Sequence, residues 1–483
     1  MSYLHGVAVV ENPTSIAEPV TLSGGVPVIF GTAPVNQADD PDNATNQLFL
    51  CNTFDEAKAA VGYSSDYESY TLCAAMDVFF KAYGVGPIVV CNVLDPSTHV
   101  SSYSEVLTTV NGVATATKLG VCLGSLTVSN GDDSSALTED ADYTVEFDDD
   151  GYAVFTLVDA SISSISLSGS ILDPSAVTQT DVIGAYDSDT GAETGFELIR
   201  RVYPKFGLAP SLLLAPGWTQ NAVVAQALVA KCEDISGMFR CECLIDIDST
   251  ETGATKYTDV EEAKENTGIT SEHAIMLWPM IKYSGSIMYY STMYAALAAY
   301  TDYTNDNVPG LYPSNKSLKA SAVVTADGTE LDLDITQANV LNAIGVVTAL
   351  NLNGYVAWGN NTAAYPDVTD PKDRWIGCRR FFSWWANEFV INYLSKVDNL
   401  ANYRLIQSIV DSWNVRGNAL TSQGKCAGIK MVYNTEDNPV ENILAGKVTF
   451  RQYLAPYTPA EYIESINEYD VSMLEAALTG GEE

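Results

Sequence analysis

Short, almost uncharged runs of strand-forming residues, separated by stretches of helical length, restrict this fold more than any other feature of the chain. Residues 26–31 (VPVIFG), 88–94 (IVVCNVL), 211–215 (SLLLA) and 243–247 (CLIDI) form the series. The 88–94 run lacks the alternation of a strand with one wet face, so it reads as a strand covered on both sides. Residues 53–61 and 70–83 carry helical spacing, the first with Asp55 and Glu56 in its opening turn, and 196–202 and 221–232 read as further helices. Helices alternating with buried strands predict an α/β (α+β) fold built on a mixed sheet.

At 483 residues the chain has room for two to four such units. Leu-Asp-Pro-Ser occurs at 94–97 and again at 172–175, bracketing short Thr, Val and Ser runs with turn signals at Asn111-Gly112, Asn130-Gly131 and Asp150-Gly151. This predicts an inserted all-β domain over 97–180, with a hairpin of 145–147 and 153–158 about Asp150-Gly151. The core is then discontinuous, 23–96 plus 181–339, with a hairpin over 322–335 turning at Asp327-Gly328. A last α/β domain covers 340–464, with helices at 373–397 and 403–420 and strands at 428–433 and 447–453. Residues 1–22 and 465–483 read as extended arms. The uncharged stretch 283–301 is rich in Tyr, Ser and Thr and reads as a buried helix rather than a membrane span.

Charge is distributed unevenly. The formal net charge is −37, and residues 119–199 hold 16 acidic side chains and no Lys or Arg. From 372 to 451 the balance inverts to 11 basic and 7 acidic, and beyond 451 there are 7 acidic and none basic. A locally basic region on an acidic protein points to an acidic protein neighbour. Nucleic acid is excluded as a partner, because the field of the whole molecule repels it. Nine cysteines, an odd number set mostly in apolar runs, fit reduced thiols in a protein made in the cytosol. Residues 1–11 lack the basic and apolar regions of a secretion signal.

Chemical motifs fail on their context. Asp246 and Asp248 end a strand as Asp-x-Asp-x-Thr, the pattern of phosphohydrolases whose paired carboxylates act as nucleophile and acid/base. Lys256 and Lys264 are near, but no later strand ends in the acidic pair needed to hold magnesium. Residues 146–157 mimic a calcium loop but place Glu146 first and Leu157 at the twelfth position, where a bidentate carboxylate belongs. Cys232, Cys241 and Cys243 have the wrong spacing for zinc. His5, His99 and His273 have no nucleophilic constellation nearby, and no phosphate-binding glycine loop is present. No catalytic, cofactor-binding or metal-binding residue is expected, and no cofactor.

Residues 341–362, LNAIGVVTALNLNGYVAWGNNT, contain no such chemistry, but with Trp358-Gly359-Asn360-Asn361-Thr362 they resemble a block of the contractile tail sheath proteins of myophages and R-type bacteriocins. Other blocks follow in the family's order: His5-Gly6-Val7, Ile29-Phe30-Gly31-Thr32-Ala33-Pro34, Gly86-Pro87-Ile88-Val89-Val90, Leu213-Leu214-Ala215-Pro216-Gly217, Pro313-Ser314-Asn315-Lys316 and Leu444-Ala445-Gly446-Lys447-Val448-Thr449-Phe450. The resemblance covers nearly the whole chain outside 97–180. It implies a structural subunit that assembles with itself into hexameric rings stacked as a helix around an inner tail tube, bounded by baseplate and terminator proteins. The location implied is the virion tail or a bacteriocin particle, assembled in the host cytoplasm, without membrane insertion. The arms would then weave neighbours together, through Val7, Val9 and Val10 at one end and Val471, Met473, Leu474 and Leu478 at the other. Independently, arms that add strands to a neighbour make a head-to-tail contact that builds rods. Lys372, Arg374, Arg379 and Arg380 are the expected contact with the tube. The rival readings are a surface-layer or adhesin-type structural protein and a metal-dependent phosphohydrolase using Asp246 and Asp248.

Overall fold

A computed structural model describes residues 25–148 and 150–479. The expected N-terminal arm, with Val7, Val9 and Val10, lies outside the described residues.

Among the described residues the centre is an eight-stranded mixed sheet. Its strands are β1 (Val26–Gly31), β2 (Leu48–Cys51), β3 (Ile88–Asn92), β4 (Pro210–Leu214), β5 (Glu242–Asp246), β6 (Ala274–Leu277), β7 (Val346–Asn351) and β8 (Tyr355–Trp358). The spatial order is β8-β7-β6-β5-β4-β1-β3-β2. From β7 to β3 every pairing is parallel, and an antiparallel strand closes each side, β8 on β7 and β2 on β3. Every residue of β1, β3, β5 and β6 is buried, which is why their sequences show no alternation.

Strand order reverses beside β1, at the place where open α/β sheets bind ligands beyond the carboxyl ends of their strands. Here the crevice is filled by the protein itself. Thr71 lies so close that a side chain at Gly31 would collide with its hydroxyl, and a Cβ on Gly217 would stand 3.0 Å from its methyl. Thr32 Oγ1 donates to Ser69 O at 2.7 Å, fixing the same segment.

Helix α1 (Tyr290–Tyr303) is buried on nearly all sides against the sheet, and Tyr290 donates its hydroxyl to Thr348 O on β7 at 2.9 Å. The expected helix over 283–301 therefore begins seven residues late, because Ser284 and Gly285, both at positive φ, turn a small hairpin of Met280–Tyr283 and Ser286–Met288. No helix among the described residues is long and apolar enough to cross a membrane.

Residues 100–172 form two antiparallel sheets around an apolar core of their own, including Tyr103, Val128, Phe155, Ile165 and Leu167. The hairpin about Asp150-Gly151 is present as Tyr143–Phe147 against Ala153–Leu157. A third unit holds helices α2 (Ile376–Tyr393) and α3 (Tyr403–Ser422) against a two-stranded ribbon, β9 (Gly428–Val432) and β10 (Arg451–Ala455). Trp385 and Trp413 pack with ring centres 4.3 Å apart and planes tilted by 41° in its core.

Three expectations need correction. The last domain does not start at 340, since β7 and β8 complete the central sheet; β7 pairs with β6, a contact invisible in the local sequence. The hairpin over 322–335 keeps Ala322–Val324, but its return is a single bridge at Glu330, because Ala322–Val324 pairs instead with Met280–Tyr283. Residues 196–202 are a 3-10 segment, Gly195–Arg201, followed by a short α-helix, Val202–Phe206.

Val100 and Leu172 stand directly opposite each other where the inserted sheets join the core, so a two-residue loop can connect them. Excising 101–171 and joining Val100 to Leu172 by Gly-Ser should leave a cooperatively melting chain with its midpoint changed by only a few degrees. Circular dichroism checks this, and loss of the cooperative transition would show that the core depends on the insertion.

Candidate inter-subunit surfaces

Beyond β10 the chain runs along the surface of the molecule. Pro456 and Pro459 oppose both a continuing central strand and a helix, and residues 456–470 have no regular structure and are exposed almost throughout. The arm expected to be extended over 465–483 is not extended beyond Asp470: helix α4 (Val471–Thr479) follows, opened by Asp470 Oδ1, which accepts from Ser472 N at 2.8 Å. Nine residues are too few for a stable helix in water without tertiary packing. Yet Val471, Met473 and Leu478 are 66%, 73% and 77% exposed, Leu474 is 45% exposed, and Tyr462, Ile463, Ile466 and Tyr469 are bare as well. Single exposed apolar residues are ordinary; eight on one short arm mark a surface made to be covered.

The β9–β10 ribbon is the complementary feature. Two strands alone are marginally stable, and the outer edges of this pair have no strand partner among the described residues. Its back is well held. Ile429 and Met431 are buried on the α3 side, and Gln452 Oε1 on β10 accepts from both Trp385 Nε1 (2.6 Å) and Trp413 Nε1 (2.8 Å). Asp437 ties down the start of β10 through Arg451 Nε at 2.9 Å.

Arg379 and Arg380, expected at a contact with another chain, are interior residues. Arg380 is 3% exposed and grips Asp302 of α1 with both terminal nitrogens; Arg379 is 5% exposed and donates to Asp373 Oδ1 at 3.0 Å. Burial pushes the Asp302 carboxyl up and Arg380 pulls against it. The charge inversion after 372 thus serves in part to neutralise acids inside the chain, and Arg416 paired with the buried Glu388 is another instance. Lys372 is half-exposed and pairs with Asp373 Oδ2 at 3.2 Å, and Arg374 is half-buried.

A different basic surface exists at the corner between α2 and α3, which sequence reasoning missed. Residues 394–404 are exposed throughout, with Val397, Leu400 and Tyr403 set beside Lys396 and Arg404. The available signal was three large apolar residues in a segment too polar to be core, just before and after the helix cap Asn402, whose Oδ1 accepts from Leu405 N at 2.9 Å.

The paired aspartates do not form a common site. Asp246 is buried at the end of β5, where Oδ1 accepts from Ser291 N at 2.8 Å and Oδ2 from the Ser291 hydroxyl, closing the first turn of α1. Asp248 folds into its own turn, accepting from Thr250 N at 2.9 Å. Lys264 is committed to backbone carbonyls of Ala363 (2.9 Å), Tyr365 (3.1 Å) and Ile344. Asp148 accepts from Tyr152 N at 2.8 Å within the hairpin loop of the calcium-like segment. Glu233, Glu272 and His273 come within 4.8 Å of one another, but His273 Nδ1 already meets Cys241 O at 2.9 Å.

No family model matches the chain. It is similar to the tail sheath protein of Burkholderia phage BcepMu, at 25% identity over 94% of both chains. It is also similar to the major tail sheath protein of Serratia phage KSP20, at 26% identity over 62% of this chain and 74% of that one. Among solved structures, the sheath of the extracellular contractile injection system PVC in its contracted state shares the fold, with a TM-score of 0.59 and 15% identity over 98% of this chain and 99% of the other. The contracted helical sheath of the anti-feeding prophage gives 0.58 and 14% identity over 97% of this chain and 100% of that one.

Replacing Arg380 by Ala should cost about 3–5 kcal/mol, because it leaves Asp302 buried without its partner; urea unfolding checks this, and a change under about 1 kcal/mol would return Arg380 to the surface. Burial raises the Asp246 carboxyl from 3.8 to about 6. Between those values the folded chain holds a proton that the unfolded chain has lost, so this group makes stability fall as pH rises from about 4 to 6 and leaves it flat above. Asp246→Asn should remove that portion of the slope in urea titrations between pH 4 and 7.5.

Proposed function

We propose that the chain is a contractile tail sheath subunit, which polymerises into a helical sleeve around an inner tube and contracts to drive that tube through a bacterial cell envelope. The observation that carries this reading is an uncovered apolar arm in the same chain as an uncovered strand ribbon. If the extended 462–470 part of one arm adds to the β9–β10 ribbon of the next copy, main-chain hydrogen bonds satisfy the open edge, and helix α4 can lay its apolar side chains on the same neighbour. Such a contact is head-to-tail, so it propagates instead of closing on a dimer. The N-terminal residues 1–22, with Val7, Val9 and Val10, serve as the second thread.

A sleeve that contracts must keep its connections while its bodies move. Flexible arms do this, and the cores between them remain rigid and rearrange as units. The contact with the tube has to be breakable, which suits exposed charges flanked by a few apolar side chains. We place it at the 394–404 corner, with Lys396 and Arg404 as cations, in place of the buried Arg379 and Arg380; Lys372 is an accessory. Baseplate and terminator proteins would meet the ends of the rod, where arms or ribbons lack a neighbour. The nine free thiols, eight of them buried, suit synthesis and assembly in the host cytoplasm. The role is structural, and the relatives favour it over a surface-layer, adhesin or phosphohydrolase reading.

Deleting 462–483 should give a folded, soluble chain that forms no rods. Each docked apolar side chain is worth ~1.5–3 kcal/mol before ordering costs, so removing several abolishes a contact that is weak per copy and strong by repetition. Light scattering and electron microscopy test it, and rods of ordinary length from the deleted chain would overturn the woven sleeve. Lys396→Glu with Arg404→Glu should leave rods able to form but unable to sheathe purified tubes; sheathing at normal yield would remove the corner from the tube contact.

A further inference from the structure

The Trp358-Gly359-Asn360-Asn361-Thr362 segment has a role that strand pairing does not explain. It leaves the end of β8 as a loop tied to several other segments of the chain. Gly359 adopts φ of +138°, with the Val347 Cα 3.0 Å from where a side chain would begin, so only glycine fits. Gly359 N donates to Ser314 Oγ at 3.1 Å, which brings the Pro313-Ser314-Asn315-Lys316 segment to the same place. Asn361 Nδ2 donates to Asn342 O at 3.0 Å, and Thr362 Oγ1 donates to Asp373 O at 2.7 Å.

This frame prepares one cation. Arg374 lies over the rings of Trp375 and Tyr365, at 3.9 Å and 4.3 Å from their centres, and its Nε donates to Asn361 Oδ1 at 2.9 Å. Held on three sides, the guanidinium offers its remaining edge to a carboxylate. The carboxylate in reach is Glu461 of the C-terminal segment, 3.4 Å from Arg374 and 3.5 Å from Asn360 Nδ2. Four residues earlier, Tyr457 O accepts from the Tyr312 hydroxyl at 3.0 Å. Between the strap and the loop lies a cavity of about 410 Å³, lined by Asn339, Asn342 and Tyr365 among others. Asn360 is 8% exposed and lines this cavity, and its Oδ1 has no hydrogen-bond partner among the described residues.

We propose that this loop, with Arg374 and Tyr312, is a receptor for the chain's own C-terminal strap, and that it pins the strap at Glu461 so that the free arm begins at Tyr462. The two grips differ in kind. The Tyr457 carbonyl is held by an ordinary hydrogen bond, whereas the Glu461 contacts are long and half-exposed, so the pin is weak and releasable. The unused Asn360 oxygen leaves room for the strap to seat more deeply. From Tyr462 to Asp470, nine residues extended at about 3.3–3.6 Å each span roughly 30 Å, enough to carry α4 across a neighbouring copy. The role of the free arm rests on the sheath reading; the receptor does not.

The test is limited proteolysis of the full-length soluble protein by a protease that cuts after aromatic residues, with cleavage after Tyr457 and Tyr462 read by mass spectrometry and rod formation scored separately. Glu461→Gln should speed cleavage at these bonds severalfold, and Tyr312→Phe should do the same by releasing the other grip, with thermal melting unchanged in both. The two changes together should give faster cleavage than either alone, because they release two separate grips. Faster cleavage in each single variant supports the receptor whether or not rods form. Cleavage as slow in Glu461→Gln or in Tyr312→Phe as in the unaltered chain overturns it.

Discussion

Burying a parallel sheet on both faces is the constraint from which the rest of this molecule follows. Six adjacent parallel strands have their backbone hydrogen bonds satisfied only within the sheet, and both faces must be covered by apolar elements. Helix α1 is the extreme case, buried almost all round, so it carries Ala, Tyr and Thr where a surface helix would carry Lys and Glu. Its open N-terminus then lies in the interior, and Asp246 is the group that closes it. The same carboxyl that resembles a nucleophile in the sequence is thereby spent on two hydrogen bonds.

Placing a large neutral core inside a chain of formal charge −37 leaves a difficulty with its acids. Most are solvated; of those inside, Asp302 is matched by Arg380 and Glu388 by Arg416, whereas Asp246 is held by Ser291 and takes up a proton more readily instead. A buried acid without a cation would cost several kcal/mol. This explains why basic residues concentrate after 372, where Arg380 of α2 reaches Asp302 of α1. Lys396 and Arg404 at the exposed 394–404 corner take no part in this internal matching among the described residues.

Assembly uses what the core cannot supply. A ribbon of two strands is complete in side-chain packing on one face and incomplete at its edges, and an arm carrying eight exposed apolar residues is incomplete in every contact. Each defect has the form of the other's remedy. A weak pin at Glu461 fits this arrangement, because it limits where the arm starts without tying up the arm's apolar side chains.

Much of this was legible in the residues. Apolar runs at period neither two nor 3.6 gave the buried strands, turn pairs gave the inserted sheets, and uncompensated Val471, Met473, Leu474 and Leu478 gave the C-terminal arm, because each of these signals is local. What only the tertiary structure decided was long-range. Strand β7 joins β6 across about seventy residues of intervening chain, Ala322–Val324 chooses Met280–Tyr283 over its own hairpin, and Arg380 turns inward to an acid 78 positions away. Charge in a sequence reports that a side chain is ionised, not whether it faces water. That is settled by whether the fold brings an opposite charge to it, as it does for Arg379 and Arg380 and does not for Lys396 and Arg404 among the described residues.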